Sequence, residues 1–370
     1  MKIGILTSSR ADFGIYYPLI KKLTNEVDFE VEIIAFGTHL QKNYGHTIDE
    51  ILSLGFQVKH AIRTSVENET PKDISNTIGD TVLKFSSFWN DTKFDLIFAL
   101  GDRYEMFAAV AAATPFQVNF AHIHAGETTL GAIDNAYRHS ISLFSKYLFV
   151  STESYKKRGI EILKIPENVF NVGALSIDNL KHQKLFTLKE FQEKFDIDLT
   201  KPTILTTFHP ETISFDKNEM YIEELLNALE VLKAKYQIVI TMPNSDTLGN
   251  MIRKKIEIFG KVYPEVKLIE SFGMQGYLTC MKYCAMLLGN TSSGFVEAAF
   301  FPKWVINLGD RQKGRIITEN IINTKINQKD ILQKVNNIEN MKLSDSTNIY
   351  GDGNTAERIV EKIKQCYGLK

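Results

Sequence analysis

The chain has 370 residues, with 43 Lys plus Arg set against 44 Asp plus Glu, and 44% of its residues are hydrophobic. A formal net charge of −1 excludes the basic field that draws nucleic acid or an anionic membrane surface. The length predicts two domains, each with its own core, and no apolar run approaches the ~20 residues needed to span a bilayer.

From the N-terminus, strand-like and amphipathic helical segments alternate. Lys2–Thr7 reads as the first strand and 16–23 as the helix after it. Strands follow at 31–36, Leu96–Leu100, 118–121 and 147–151, separated by helical patterns at 70–89, 106–113 and 133–144. A second series runs through strands at 203–208, 238–242, 266–270, 285–288 and Trp304–Leu308, with helices at 218–236 and 246–259 between them. Such alternation predicts βαβ units and parallel sheets. Residues 175–202 interrupt the rhythm and end at Lys201-Pro202, which places the domain junction there. The expected fold class is α/β of the GT-B type, in which two doubly wound, Rossmann-like domains face each other across a cleft. Residues 1–178 form the first domain and 200–353 the second, and the final helix within 354–370 packs back on the first.

The opening residues carry too short an apolar run for a secretory signal. Cys280 and Cys284 share a helix face by spacing, yet no histidine lies near enough to complete a zinc site. Together with Cys366 they read as buried thiols of a reducing compartment, the cytoplasm.

Open parallel sheets bind ligands beyond the carboxyl ends of their strands, so residues just after strands carry the functional signal. After the first strand, Arg10 offers a planar fork to phosphate oxygens, or a salt bridge to Asp12. No Gly-x-Gly-x-x-Gly and no Walker lysine occurs, so no dinucleotide cofactor is signalled. Asp102 and Arg103 follow the strand at 96–100. A carboxylate there is poorly solvated and open to a displaced pKa, and it is equally a helix N-cap. Next comes His122-Ile-His124-Ala-Gly-Glu127, followed by Asp134, Arg138 and His139. A cluster this dense is costly to bury unless it works. Its histidines lack the helical i, i+4 pairing with a carboxylate that zinc sites use, so no metal is expected.

The second half offers His209-Pro210-Glu211-Thr212, then Pro243-Asn244-Ser245-Asp246, then Ser271-Phe272-Gly273. Phe272 either flanks a base or belongs to the core. Residues 289–301 end a buried strand in Gly289-Asn290, pass through Thr291, Ser292, Ser293 and Gly294, and begin a helix. Unpartnered N–H groups at a helix start, with the dipole behind them, suit a phosphate or diphosphate. Glu297 lies one turn further on, within reach of a ribose diol. The alternative is an ordinary helix cap. Finally Arg311, Lys313 and Arg315 crowd the loop 309–315.

The ordered set SSRADFGIYYPL, GTHL, GDRYE, HIHAGE…ID…RH, FHPET, GNTSSGFVE and GDRQKGR resembles the hydrolysing UDP-N-acetylglucosamine 2-epimerases of sialic-acid synthesis over nearly the full length. The resemblance implies the GT-B fold and the conversion of UDP-N-acetylglucosamine and water into N-acetylmannosamine and UDP. Anti elimination of UDP would give a 2-acetamidoglucal, which is then hydrated with the opposite configuration at carbon 2. Some relatives act instead on UDP-N,N'-diacetylbacillosamine, on the way to legionaminic acid. By resemblance Asp102, Glu127 and Asp134 are the acid/base set. Arg10, His209, Ser292 and Ser293 hold the diphosphate and Glu297 the ribose, with Arg103, Asn244, Phe272, Gly294 and Arg315 as further substrate contacts. No cofactor is implied, and a homodimer or homotetramer is. Some relatives carry glutamate where this chain has His124, so either Glu127 or His124 fills the second proton-transfer role, with Glu127 favoured. Non-hydrolysing relatives use a His-x-Glu-Ala-Gly-Leu-Arg pattern, and the Leu-Arg is missing from this chain. The rival readings are a non-hydrolysing epimerase, a GT-B glycosyltransferase with an acceptor site, and a nucleotide-sugar sensor without turnover.

Overall fold

A computed structural model describes residues 1–66, 70–243, 249–339, 341–343 and 348–369. The chain divides into two units. The first comprises Met1–Glu127, Asp134–Lys181 and Ile349–Lys370, and the second Thr128–Ile133 and His182–Asn348. The six residues Thr128–Ile133 count with the second unit because of their hydrogen bonds. Leu130 N–H donates to the Lys313 carbonyl (2.7 Å) and Ile133 N–H to Thr212 Oγ1 (3.1 Å).

In the first unit, strands β1 (Lys2–Thr7), β2 (Glu30–Phe36), β3 (Val58–Ile62), β4 (Leu96–Leu100), β5 (Phe120–Ile123), β6 (Tyr147–Val150) and β7 (Val169–Asn171) form a parallel sheet in the order β3-β2-β1-β4-β5-β6-β7. In the second, β8 (Thr203–Thr207), β9 (Gln237–Thr241), β10 (Lys267–Ile269), β11 (Met286–Gly289), β12 (Trp304–Leu308) and β13 (Ile321–Thr324) are ordered β10-β9-β8-β11-β12-β13, again parallel. Parallel sheets are covered on both faces, so their central strands are apolar throughout rather than alternating. Leu-Ile-Phe-Ala-Leu of β4 is buried at every position. Its Phe98 belongs to one core cluster with Ile5, Tyr16 and Leu19, and its Ile97 to another, on the opposite face, with Trp89 and Phe85. The second sheet has the same arrangement, with Ile204, Leu229 and Ile256 on one side and Phe191, Leu205 and Phe295 on the other.

Strands β3, β7 and β13 carry no strong sequence signal. β3 is an edge strand that includes Lys59 and His60, and β7 has only three residues. The interruption at 175–202 contains two helices, Leu175–His182 and Leu188–Phe195. The second of these opens with a capping box in which Thr187 and Glu190 bond reciprocally. The C-terminal helix Thr355–Tyr367 packs within the first unit, where Ile359, Val360 and Ile363 join the core of Tyr16 and Leu19. Asp178 caps it by accepting from Thr355 N (2.9 Å) and Ala356 N (2.7 Å). Of the three cysteines expected to be buried, Cys366 on this helix is exposed. Among the described residues, no helix is long and apolar enough to cross a membrane.

A buried carboxylate ties three strands of the first sheet. Glu32 of β2 is 2% exposed and meets Lys59 Nζ (2.5 Å) and His60 Nε2 (2.8 Å) of β3 and Lys2 Nζ (3.2 Å) of β1. Burial by itself raises the Glu32 carboxyl, but the bonds from Lys59, His60 and Lys2 outweigh it and hold the group at about 2, below its ordinary 4.5. A depressed folded-state pKa means that this stabilisation is complete above pH 4.5 and is lost as pH falls towards 2. Urea unfolding from pH 7 to pH 2.5 should show stability falling across that window. Glu32→Gln should be less stable at neutral pH and should flatten this part of the profile.

Candidate active site

In both sheets the chain reverses its winding between the first strand and its later neighbour, at β1/β4 and at β8/β11. Open α/β sheets hold ligands beyond the carboxyl ends of the strands at such points. Each unit carries its own polar cluster there.

In the first unit, β4 is followed by Gly101, whose φ of +77° suits glycine and turns the chain sharply into Asp102. His122 of β5 braces this turn from the adjacent strand. Its Nε2 donates to the Gly101 carbonyl (2.8 Å), which leaves Nδ1 to accept from Ser142 Oγ (2.9 Å). Burial pushes the His122 pKa down to about 3, so the imidazole stays neutral and serves as a strut. Arg138, from the helix Asp134–Phe144, is the hub. Its side chain is 3% exposed; Nη1 donates to Glu127 Oε2 (2.8 Å) and Nη2 to Asp102 Oδ2. Burial opposes the guanidinium charge, but Asp102 and Glu127 outweigh it and raise the Arg138 pKa, so the group stays charged. The other oxygen of Glu127 lies 2.7 Å from His124 Nδ1. Asp134 stands at the first position of its helix, half-buried. The structure therefore brings Asp102, Glu127 and His124 into one bonded cluster through Arg138. Arg138 has no assigned role in the motif reading, although a lone arginine on the buried face of an amphipathic helix is a legible signal.

Two expected anion contacts stand differently. Arg103 is forked onto the fully buried Glu105 through Nε (3.1 Å) and Nη2 (2.8 Å). Arg10 is exposed at the start of the helix Arg10–Thr24. No salt bridge to Asp12 forms, because Asp12 accepts from Ser8 N (2.9 Å) and Ser8 Oγ (2.6 Å) instead.

In the second unit, side-chain amides hold the strand-end loops. Asn290 is fully buried after β11; its Oδ1 accepts from His209 N (2.7 Å) and its Nδ2 donates to His209 O (2.8 Å). The Asn290 carbonyl accepts from Gln312 Nε2 (2.8 Å), and Gln312 Oε1 accepts from Arg315 Nε (2.6 Å). Glu211 Oε1 accepts from Asp310 N (2.7 Å) and Arg311 N (3.3 Å). Gly309 is required beside it, because a Cβ there would lie 2.1 Å from that oxygen and φ is +70°. His209, Arg311 and Arg315 are thus anchored around a strand end, an arrangement suited to a polyanion. Asn290, Gln312 and Glu211 escape motif reading because their role is to hold other residues.

Two expectations in this unit are corrected, the helix start at Ser292 and the base contact of Phe272. The expected helix does not begin at Ser292. The segment is one 3-10 turn, Ser292–Gly294, followed by the single-turn helix Glu297–Phe300, so little dipole is available. Gly294 lies against Val305, and Pro302 ends the segment two residues past the short helix. Ser293 Oγ is engaged by Tyr277 OH (2.6 Å), while Ser292 is exposed and Glu297 half-buried. Phe272 is 6% exposed and packs on Phe191 and Phe195 with centroids 5.4 and 4.9 Å away, which makes it a core residue and not a base clamp. Asn244 lies outside the described residues.

Two doubly wound units of this strand order, with an ionised cluster at one winding reversal and a cationic loop at the other, define an enzyme of the GT-B class. Residues 21–364 match the family described as UDP-N-acetylglucosamine 2-epimerase. The chain is 32% identical to a UDP-N,N'-diacetylbacillosamine 2-epimerase (hydrolyzing) of Legionella pneumophila, covering 98% of this chain and 95% of that protein. It is 34% identical to a GDP/UDP-N,N'-diacetylbacillosamine 2-epimerase (hydrolyzing) of Campylobacter jejuni, over 89% of this chain and 85% of that one. In fold it is similar to the crystal structure of UDP-GlcNAc 2-epimerase from Neisseria meningitidis bound to UDP-GlcNAc, with a TM-score of 0.83 at 20% identity, covering 99% of this chain and 100% of the other. The chain belongs to the UDP-N-acetylglucosamine 2-epimerase family.

Removing Arg138 leaves two carboxylates without their buried counter-charge, a change that typically costs about 3–5 kcal/mol. Arg138→Ala should lower the unfolding free energy by that order in denaturant titration. Arg138→Lys keeps the charge but loses the fork and should fall between the two.

Proposed function

We propose that the protein is a hydrolysing 2-epimerase of a UDP-2-acetamido sugar, converting UDP-N-acetylglucosamine and water into N-acetylmannosamine and UDP. The observation that carries this reading is the Arg138-centred cluster of Asp102, Glu127 and His124 at the β4/β5 strand ends. Epimerisation at carbon 2 needs one group to take a proton and another to return one on the opposite face. Asp102, Asp134 and the Glu127–His124 pair supply such groups. Departure of UDP requires cations and N–H donors around a diphosphate, a role we assign to His209, Arg311, Arg315 and the Ser292–Gly294 turn of the second unit. Neither proton transfer nor loss of the diphosphate calls for a nicotinamide or a metal. The missing Leu-Arg after His-Ile-His-Ala-Gly and the two relatives named as hydrolysing enzymes support hydrolysis over reversible epimerisation.

A second reading has the same reaction acting on UDP-N,N'-diacetylbacillosamine, and the names of those same two relatives favour it. We also place the protein in the cytoplasm, where its free thiols Cys280, Cys284 and Cys366 stay reduced. As its active form we assign an assembly of two or four copies, consistent with Leu143 and Phe144 being 62% and 37% exposed.

Incubation with each UDP-sugar alone should release UDP and the free 2-epimerised sugar with no acceptor present. A requirement for an acceptor would point to a glycosyltransferase, and UDP binding without turnover to a sensor. Asp102→Asn should lower turnover by about 10²–10⁴-fold while UDP binding measured by calorimetry persists. Arg315→Ala removes a charged contact and should weaken UDP binding by about 10–100-fold.

A further inference from the structure

His124 follows the last residue of β5 with φ +64°, a left-handed conformation that side-chain-bearing residues seldom adopt. Such strain persists where the surroundings enforce it, and it concentrates at working sites. The imidazole is polarised from one side. Nδ1 lies 2.7 Å from Glu127 Oε1, and an ionised carboxylate only accepts, so Nδ1 is the donor there and the neutral ring carries its lone pair on Nε2. Nε2 is buried and has no hydrogen-bond partner among the described residues. Glu127 itself is 2% exposed, with Oε1 committed to His124 and Oε2 to Arg138. His122, two residues earlier, has both ring nitrogens bonded and presents no lone pair.

From this geometry we propose that Nε2 of His124 is the base that takes the proton from carbon 2, and that Glu127 is the carboxylate backing it. The assignment rests on the epimerase reading above. The Nε2 lone pair accepts the carbon-2 proton, and the C–H electron pair becomes the carbon 1–carbon 2 double bond. The carbon 1–oxygen bond breaks with its electrons leaving on the diphosphate. The imidazolium so formed keeps its Nδ1 proton on the Glu127 carboxylate, which stabilises the new charge. Water then adds its hydroxyl to carbon 1 of the glycal, while the Asp134 carboxylate takes the water's other proton and passes it to the opposite face of carbon 2. The imidazolium returns its proton to solvent.

Three variants of the full chain test this: His124→Gln, His124→Glu and Glu127→Gln. UDP release is followed from pH 4 to pH 9, with UDP affinity and thermal unfolding measured on each variant. His124→Gln should lose about 10²–10⁴-fold in kcat with UDP affinity within twofold of the parent. His124→Glu should recover at least tenfold over His124→Gln, with its ascending pH limb displaced about two units towards acid. Glu127→Gln should lose less than His124→Gln, because the base itself remains in place. Turnover of folded His124→Gln within threefold of the parent overturns the assignment, as does a pH limb that stays in place in His124→Glu. Parent protein that releases UDP from neither sugar overturns the epimerase reading itself, and this role with it. An active parent beside an unaffected His124→Gln overturns the role of His124 alone.

Discussion

The first unit depends on one buried cation. Arg138 comes from a helix and Asp102 and Glu127 from two different strand ends, so nothing in the local chain holds the two carboxylates near each other. Without the guanidinium, two like charges beside a sheet would repel and draw in water. With it, each is neutralised and oriented, and the cost of removing three ions from water is offset by short charge-assisted bonds. The fork geometry explains why arginine occupies the position, since one planar group meets two acceptors at a fixed angle. His122 completes the constraint by bracing the Gly101 carbonyl from β5, so the turn that carries Asp102 is held from both sides.

The second unit solves a different problem by different means. Its cationic residues are assigned to a polyanion, and the loops that carry them are held largely through side-chain amides. Asn290 clamps both backbone groups of His209, and Gln312 links the Asn290 carbonyl to the Arg315 guanidinium. Amide donors and acceptors fix direction without adding net charge. The carboxylate of Glu211 is spent on the N–H groups of Asp310 and Arg311, so it shapes the loop backbone through hydrogen bonds there.

Family membership and local geometry constrain different parts of the function. Residues 21–364 carry the family match, which covers both units. Local geometry supplies the individual detail: His124 and Glu127 form a carboxylate–imidazole pair.

Much of the architecture was legible in residue order. The apolar runs of β1, β4, β11 and β12 and the intervening amphipathic segments specify two parallel sheets, because fully buried strands need near-continuous hydrophobicity. Strand ends marked the polar clusters for the same reason, since ionisable residues directly after such runs have nowhere else to be. Edge strands β3 and β7 were not legible, because a half-exposed strand with Lys59 and His60 looks like a loop. Neither were the partners. Sequence named Asp102, Glu127 and His124 but could not say that Arg138 joins them, that Ser293 is taken by Tyr277, or that Phe272 is held by Phe191 and Phe195. Residue type and spacing determine which groups reach a strand end. Which of them are bonded there and which remain available depends on segments far apart in the chain, and only their packing decides it.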